Sequence, residues 1–86
     1  MNYVYIVECS DGTFYTGWTN NLEKRIVMHS KGTGAKYTKG RGPVKLMYHE
    51  EFQDKKDAMR RECEIKKLTR KQKEILILKN NVKNIN

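Results

Sequence analysis

At 86 residues the chain is long enough for one modest hydrophobic core and too short for two. With 37% hydrophobic and 33% charged residues it has the balance of an ordinary globular domain, and no apolar run approaches the ~20 residues a membrane helix needs. The net charge is +8, from 18 Lys and Arg against 10 Asp and Glu, which turns attention from cationic partners to polyanions.

The first residues, MNYVYIV, lack the basic region and small-residue cleavage site of a signal peptide and read as a strand, Tyr3 to Cys9, with apolar residues on both faces. Ser10-Asp11-Gly12 is a turn signal and Thr13 to Trp18 the returning strand. Register decides which residues meet. A two-residue Asp11-Gly12 loop pairs Glu8 with Tyr15 and sends Tyr5 and Tyr15 to opposite faces. A three-residue loop, with Gly12 in the left-handed position of a bulge, pairs Val7 with Tyr15 and Tyr5 with Gly17. The bulged form is predicted: both tyrosines then share one face, and the absent side chain at Gly17 leaves room beside Tyr5.

Thr19-Asn20-Asn21 supplies the N-cap of a helix from about Asn21 to Ser30, with Leu22 and Ile26 marking its buried stripe. Arg25 and His29 are also i and i+4, and they share or border that stripe. A cation and an imidazole leaning over an apolar face are costly unless something anionic meets them. Between Glu23 and Glu50 no acidic residue occurs, whereas Lys24, Arg25, Lys31, Lys36, Lys39, Arg41 and Lys45 all fall there. Such a one-sign stretch suggests a polyanion, most simply nucleic-acid backbone, with a solubilising basic surface as the alternative. Gly32 to Pro43 (GTGAKYTKGRGP) is a basic, glycine-rich loop; it is either a phosphate-contacting loop or a solvated connector, and it is no Walker loop.

Val44 to Glu51 alternates Val44, Leu46 and Tyr48 against polar neighbours and reads as a third, half-exposed strand. A second helix is predicted from Asp54, its N-cap, to Leu68, with a stripe of Ala58, Met59, Ile65 and Leu68. Glu62 falls on that apolar face while Glu64 points away. A lone carboxylate there is either a core salt bridge, with Arg25 as the candidate partner, or a metal ligand. Thr69 and Gln72 form a capping box for a third helix, Arg70 to Lys79, burying Ile75, Leu76 and Leu78. One domain over residues 1–80 and a polar, disordered tail over 81–86 are expected. Cys9 and Cys63 are isolated and read as reduced thiols of a cytoplasmic protein; with His29 and His49 they show no metal-pair spacing.

Taken together, VYI at Val4-Tyr5-Ile6, YTG at Tyr15-Thr16-Gly17, TNNLEKRIVMH with Arg25 and His29, the loop GAKYTKGRGP and AMRRE ending at Glu62 resemble the GIY-YIG nuclease superfamily, most closely its small stand-alone bacterial branch. Val4 and Thr16 stand where the naming motifs carry Gly and Ile; both tyrosines and the glycine are kept. The resemblance spans Tyr3 to about Leu78. It implies an α+β fold with a three-stranded antiparallel sheet flanked by helices, in the order β-β-α-β-α-α. It implies an endonuclease hydrolysing phosphodiester bonds in DNA, structure-selective and acting in DNA repair or processing, with Mg²⁺ or Mn²⁺ held by Glu62. Tyr5, Tyr15, Arg25 and His29 are the implied catalytic residues and Gly17 the backbone position beside them. Lys24, Lys36, Tyr37, Lys39 and Arg41 are the expected nucleic-acid contacts. A free tyrosine, with a pKa near ~10, is ionised in only about 0.1% of molecules at neutral pH, so either tyrosine needs adjacent positive charge to act as a base; which one does so stays open. Other readings are a non-catalytic nucleic-acid-binding module, a subunit that depends on a protein partner for targeting, or a small RNA-associated protein. No membrane partner is expected.

Overall fold

The computed structural model describes residues 1–85, with side chains through Asn80. Strand β1 (Asn2–Glu8) is central, flanked by β2 (Phe14–Thr19) and β3 (Lys45–Phe52) in an antiparallel sheet of order β2-β1-β3. Helix α1 (Leu22–Ser30) follows β2, and helices α2 (Lys55–Lys66) and α3 (Arg70–Ile85) follow β3. This is the α+β order β-β-α-β-α-α read from the sequence.

The hairpin closes as the bulged form predicts. Val7 pairs with Tyr15 and Tyr5 with Gly17, Gly12 has φ +84°, and Asp11 Oδ1 accepts from Thr13 N at 3.1 Å and Thr13 Oγ1 at 2.6 Å. Only a residue without Cβ adopts that φ at no cost, so Gly12 sets the register of everything downstream. Alternation along β1 then divides the labour. Val4 and Ile6, fully buried, join Tyr48, Ala58, Ile65 and Ile77 in the core against α2 and α3, each buried Val or Ile side chain contributing roughly 1.5–3 kcal/mol. Tyr5 points to the opposite face, where His29 of α1 meets it.

Three boundaries differ from the sequence reading. In β3 a register shift falls between Ile6 and Val7, so Ile6 pairs with Tyr48 but Val7 with Leu46. The extra residue, Met47, breaks the alternation: Met47 packs on the core while Leu46 is exposed. Helix α2 ends at Lys66, capped by Lys67, and Met59 is exposed, although Leu68 still packs on the core. In α3 the buried residue is Ile77, with Leu76 beside it, whereas Ile75 and Leu78 are 45% and 63% exposed. The start of the helix is tied down on the same side. Arg70 donates to the Gly12 carbonyl at 2.6 Å and lies 4.1 Å over the Phe14 ring; Ile77, two turns later, falls on that same side. The predicted caps hold: Asn21 accepts from Lys24 N, Asp54 from Lys56 N, and Thr69 and Gln72 cap each other. Backbone of α3 continues to Ile85, past the Lys79 boundary; the side chains on which the expected tail falls, 81–86, lie outside the described residues.

Candidate active site

The site grows from one buried imidazole. His29, fully buried on the last turn of α1, is held at both nitrogens: Tyr5 Oη lies 2.6 Å from Nε2 and Thr38 Oγ1 2.8 Å from Nδ1. Thr38 Oγ1 donates its own proton to the Ala35 carbonyl at 3.1 Å, so it meets His29 as an acceptor. Nδ1 therefore carries the proton, Nε2 is a lone pair, and the Tyr5 hydroxyl donates to it. Burial, followed by the Arg25 charge, holds His29 below the usual imidazole range, which keeps it neutral in this role.

Close packing makes the contact. A Cβ on Gly17 would lie 2.6 Å from Tyr5 Oη and 3.2 Å from the Tyr15 ring, and one on Gly34 would lie 2.5 Å from His29 Nδ1. Neither position tolerates a side chain without moving the pair. Tyr15 shares the face, its ring 5.2 Å from that of His29 and stacked on Tyr37 at 5.7 Å.

Electrostatics bracket Tyr5. Burial pushes its phenol well above the ordinary range, Tyr15 and Glu62 push the same way, and the Arg25 guanidinium opposes them. Arg25 and Glu62 thus both reach Tyr5 with opposite signs, yet they form no ion pair among the described residues. The Arg25–Glu62 salt bridge considered from the sequence is replaced by one between Glu62 and Lys66, at 3.3 Å; Arg25 instead lines a shallow cleft with Thr19, Asn20, Asn21, Lys24 and Met28.

The Gly32–Pro43 loop is pinned rather than free. Arg41 pairs with Asp11 at 3.0 Å, donates to the Tyr37 carbonyl at 2.7 Å, and lies 4.4 Å over the Tyr37 ring. Its own carbonyl accepts from Ser10 N and Oγ. Arg41 is thus committed to the fold, while Lys24, Lys36 and Lys39 are exposed and Tyr37 is 38% exposed. Two residues that hold the site were not singled out in the sequence, Thr38 and Gly34. Both lie in a loop, where no periodicity marks which residue turns inward.

Among the described residues no group of three or more His, Cys, Asp or Glu side chains is placed to hold a metal; Cys9 is buried and Cys63 exposed, both free. A protein-built cage is therefore absent from this region. A single half-buried carboxylate, Glu62, fits a hard divalent cation that keeps several waters and completes its shell with phosphate oxygens. No described helix is long and apolar enough to cross a membrane.

Comparison with known proteins bears on this arrangement. The GIY-YIG catalytic domain matches residues 1–75. The chain is 62% identical over 86 residues to a UPF0213 protein of Clostridium perfringens, covering all of this chain and 92% of that one. It is 55% identical over 76 residues to a UPF0213 protein of Halobacterium salinarum, covering 88% and 99%. The solution NMR structure of a UPF0213 protein from Bacillus halodurans superposes with TM-score 0.58 at 52% identity, covering 90% of this chain and 83% of that one. That of a protein from E. faecalis does so with TM-score 0.63 at 42% identity, covering 94% and 86%.

Proposed function

Because the chain belongs to the GIY-YIG family, we propose that it is a divalent-metal-dependent endonuclease hydrolysing phosphodiester bonds in DNA. We further assign it a preference for DNA structure over sequence, a place in repair or processing, and a cytoplasmic location. The observation that carries the reading is the buried donor chain from Tyr5 through His29 to Thr38, beside Arg25.

Tyr5 is 1% exposed, so the bound strand must open a path to its hydroxyl; a water attacking phosphorus then gives its proton to Tyr5 Oη as the Tyr5 proton passes to His29 Nε2. Tyr5 need not ionise beforehand, which removes the difficulty its raised pKa poses, and His29 is the final acceptor. The P–O bond to the leaving oxygen breaks as the new one forms, and Arg25 meets the charge gathering on the non-bridging oxygens. Magnesium or manganese, when held on Glu62, supplies Lewis-acid charge beside the phosphate. Lys24, Lys36, Lys39 and Tyr37 lie exposed where backbone phosphates and an unstacked base can reach them.

The test is cleavage of supercoiled, single-stranded and branched DNA with Mg²⁺ or Mn²⁺ by wild type, Tyr5→Phe, Arg25→Ala and Glu62→Ala, prepared identically. Wild-type cleavage lost by about 10²-fold or more in each variant supports the assignment; equal rates in all four would reject it. One observation favours a second reading, a nucleic-acid-binding module without catalysis: the Glu62 carboxylate already holds a cation, the Lys66 ammonium. Wild type that binds DNA and leaves every substrate intact would support that reading, with targeting or activation supplied by a protein partner.

A further inference from the structure

From Asp57 onward, the charges of helix α2 are paired. Arg60 lies 3.9 Å from Asp57, Arg61 holds Glu50 and Glu64 at 3.0 Å each, and Lys66 Nζ lies 3.3 Å from Glu62 Oε2. The last pair differs from the others in where it points. The Glu62 side chain is 19% exposed and its charge reaches Tyr5, whereas Lys66 is 50% exposed. The carboxylate is thus the more buried partner, its charge felt at Tyr5, while the ammonium sits on a flexible stem at the solvent side.

We propose that Lys66 is the resident counter-ion of Glu62 in the free protein, and that it transfers to a phosphate of the nucleic acid when a divalent cation takes the carboxylate. The proposal rests on Glu62 as the metal ligand. Its consequence is that metal and nucleic acid bind in a linked way, each favouring the other.

The charges explain the linkage. Glu62 with Lys66 is neutral. Adding a divalent cation alone leaves an ammonium and a metal ion side by side with one carboxylate between them, and their repulsion opposes binding. A backbone phosphate brings the missing negative charge and gives Lys66 a partner. Releasing Lys66 costs little, because a half-exposed i,i+4 pair is weak and solvent competes for both ends. A second cation strengthens the case: burial and then the nearby Lys66 charge lower the ammonium pKa of Lys73 on α3. With Glu62 given over to metal, the Lys66 and Lys73 charges oppose each other with no carboxylate to offset them, which a phosphate would relieve.

Mn²⁺ binding measured by electron paramagnetic resonance on the full chain tests this, using wild type, Lys66→Met, Lys66→Arg and Glu62→Gln. Each is measured alone and with a short oligothymidylate, the latter in a Tyr5→Phe background so that the strand survives. Thermal melting confirms that each variant is folded. The expected result is Mn²⁺ binding that Glu62→Gln abolishes, that Lys66→Met tightens by about fivefold without DNA, and that Lys66→Arg leaves near wild type. Oligothymidylate should tighten Mn²⁺ binding in the Lys66 protein by a larger factor than in the Met variant. Glu62-dependent Mn²⁺ binding that is the same with Lys or Met at 66, with and without DNA, would overturn the proposal while leaving the metal reading intact. Absence of any Glu62-dependent Mn²⁺ binding would overturn both.

Discussion

The Tyr5 hydroxyl and the His29 Nε2 lone pair face each other at 2.6 Å, and Thr38, on the far side of the imidazole, decides which of them holds the proton. Thr38→Val removes the acceptor for Nδ1–H, leaving a fully buried donor unpaired. A loss of roughly 1–3 kcal/mol in stability is expected, together with loss of the single tautomer that lets Tyr5 donate. Nitrogen-15 shifts of His29 report the tautomer directly; Thr38→Ser should keep both the stability and the shifts, and a Val variant with unchanged shifts would contradict the assignment.

The same imidazole makes stability depend on pH in a definite direction. Folded His29 sits below its ordinary value of 6.5, chiefly through burial, so between the folded value and 6.5 the unfolded chain binds more protons. Stability from this group is therefore complete above about pH 6.5 and declines as pH falls through that value toward the folded one. Urea midpoints between pH 5 and 8 should show this decline in wild type and a shallower one in His29→Gln. The acid limb of cleavage should likewise lie below pH 6.5, since the neutral ring is the proton acceptor.

Gly17→Ala and Gly34→Ala attack the pair from its two sides. Each new methyl lands within 2.6 Å of a ring or hydroxyl atom of Tyr5 or His29, and neither aromatic can retreat without losing its partner. A cost of about 1–3 kcal/mol is expected in denaturant titrations, with cleavage falling by more than the folded fraction alone explains. Normal activity in either variant would mean that the Tyr5–His29 contact is dispensable.

Thr16 offers a change in the other direction. It is 3% exposed, and its hydroxyl has no hydrogen-bond partner; the family motif carries an apolar residue at this place. Thr16→Val keeps the shape and removes the stranded hydroxyl, so melting should rise by about 5 °C, equivalent to roughly 1 kcal/mol. A lower melting temperature would show that the hydroxyl is satisfied in solution.

The cations of the glycine-rich loop should separate into two kinds. Lys36→Ala and Lys39→Ala are expected to weaken DNA binding and each reduce the salt slope by about 1, with melting unchanged. Arg41→Ala loses its contacts to Asp11 and Tyr37, so its first effect should be on stability, by about 1 kcal/mol. Differential scanning calorimetry beside salt-dependent binding isotherms distinguishes them.

Which features were legible in the chain follows from how local their causes are. The hairpin register was readable because Gly12 and the count of residues to Gly17 lie within one hairpin, and the caps at Asn21, Asp54 and Thr69 were readable because their partners are two or three residues away. The face of α3 was not: Ile75 to Leu78 are four consecutive apolar residues, so hydrophobicity cannot choose among them, and only packing on the core, with Arg70 reaching the hairpin from the same side, separates Ile77 from its neighbours. Met47 escaped because a bulge in β3 depends on its pairing with β1. The partner of Glu62 was misjudged for a related reason. Arg25 is distant in sequence and attractive in charge, but Lys66, one turn along the same helix, is the residue within reach.

Because β1 is the middle strand, with Val4 and Ile6 in the core and Tyr5 turned to His29, the chain has no way to assemble its chemistry ahead of its fold. Tyr5 meets Gly17 only once the hairpin has closed, and β3 pairs with the opposite edge of the same strand. A nascent or damaged copy therefore holds no part of the Tyr5–His29 contact until the sheet is built. The strand that must be in place for the core to form is also the one that sets Tyr5 against His29.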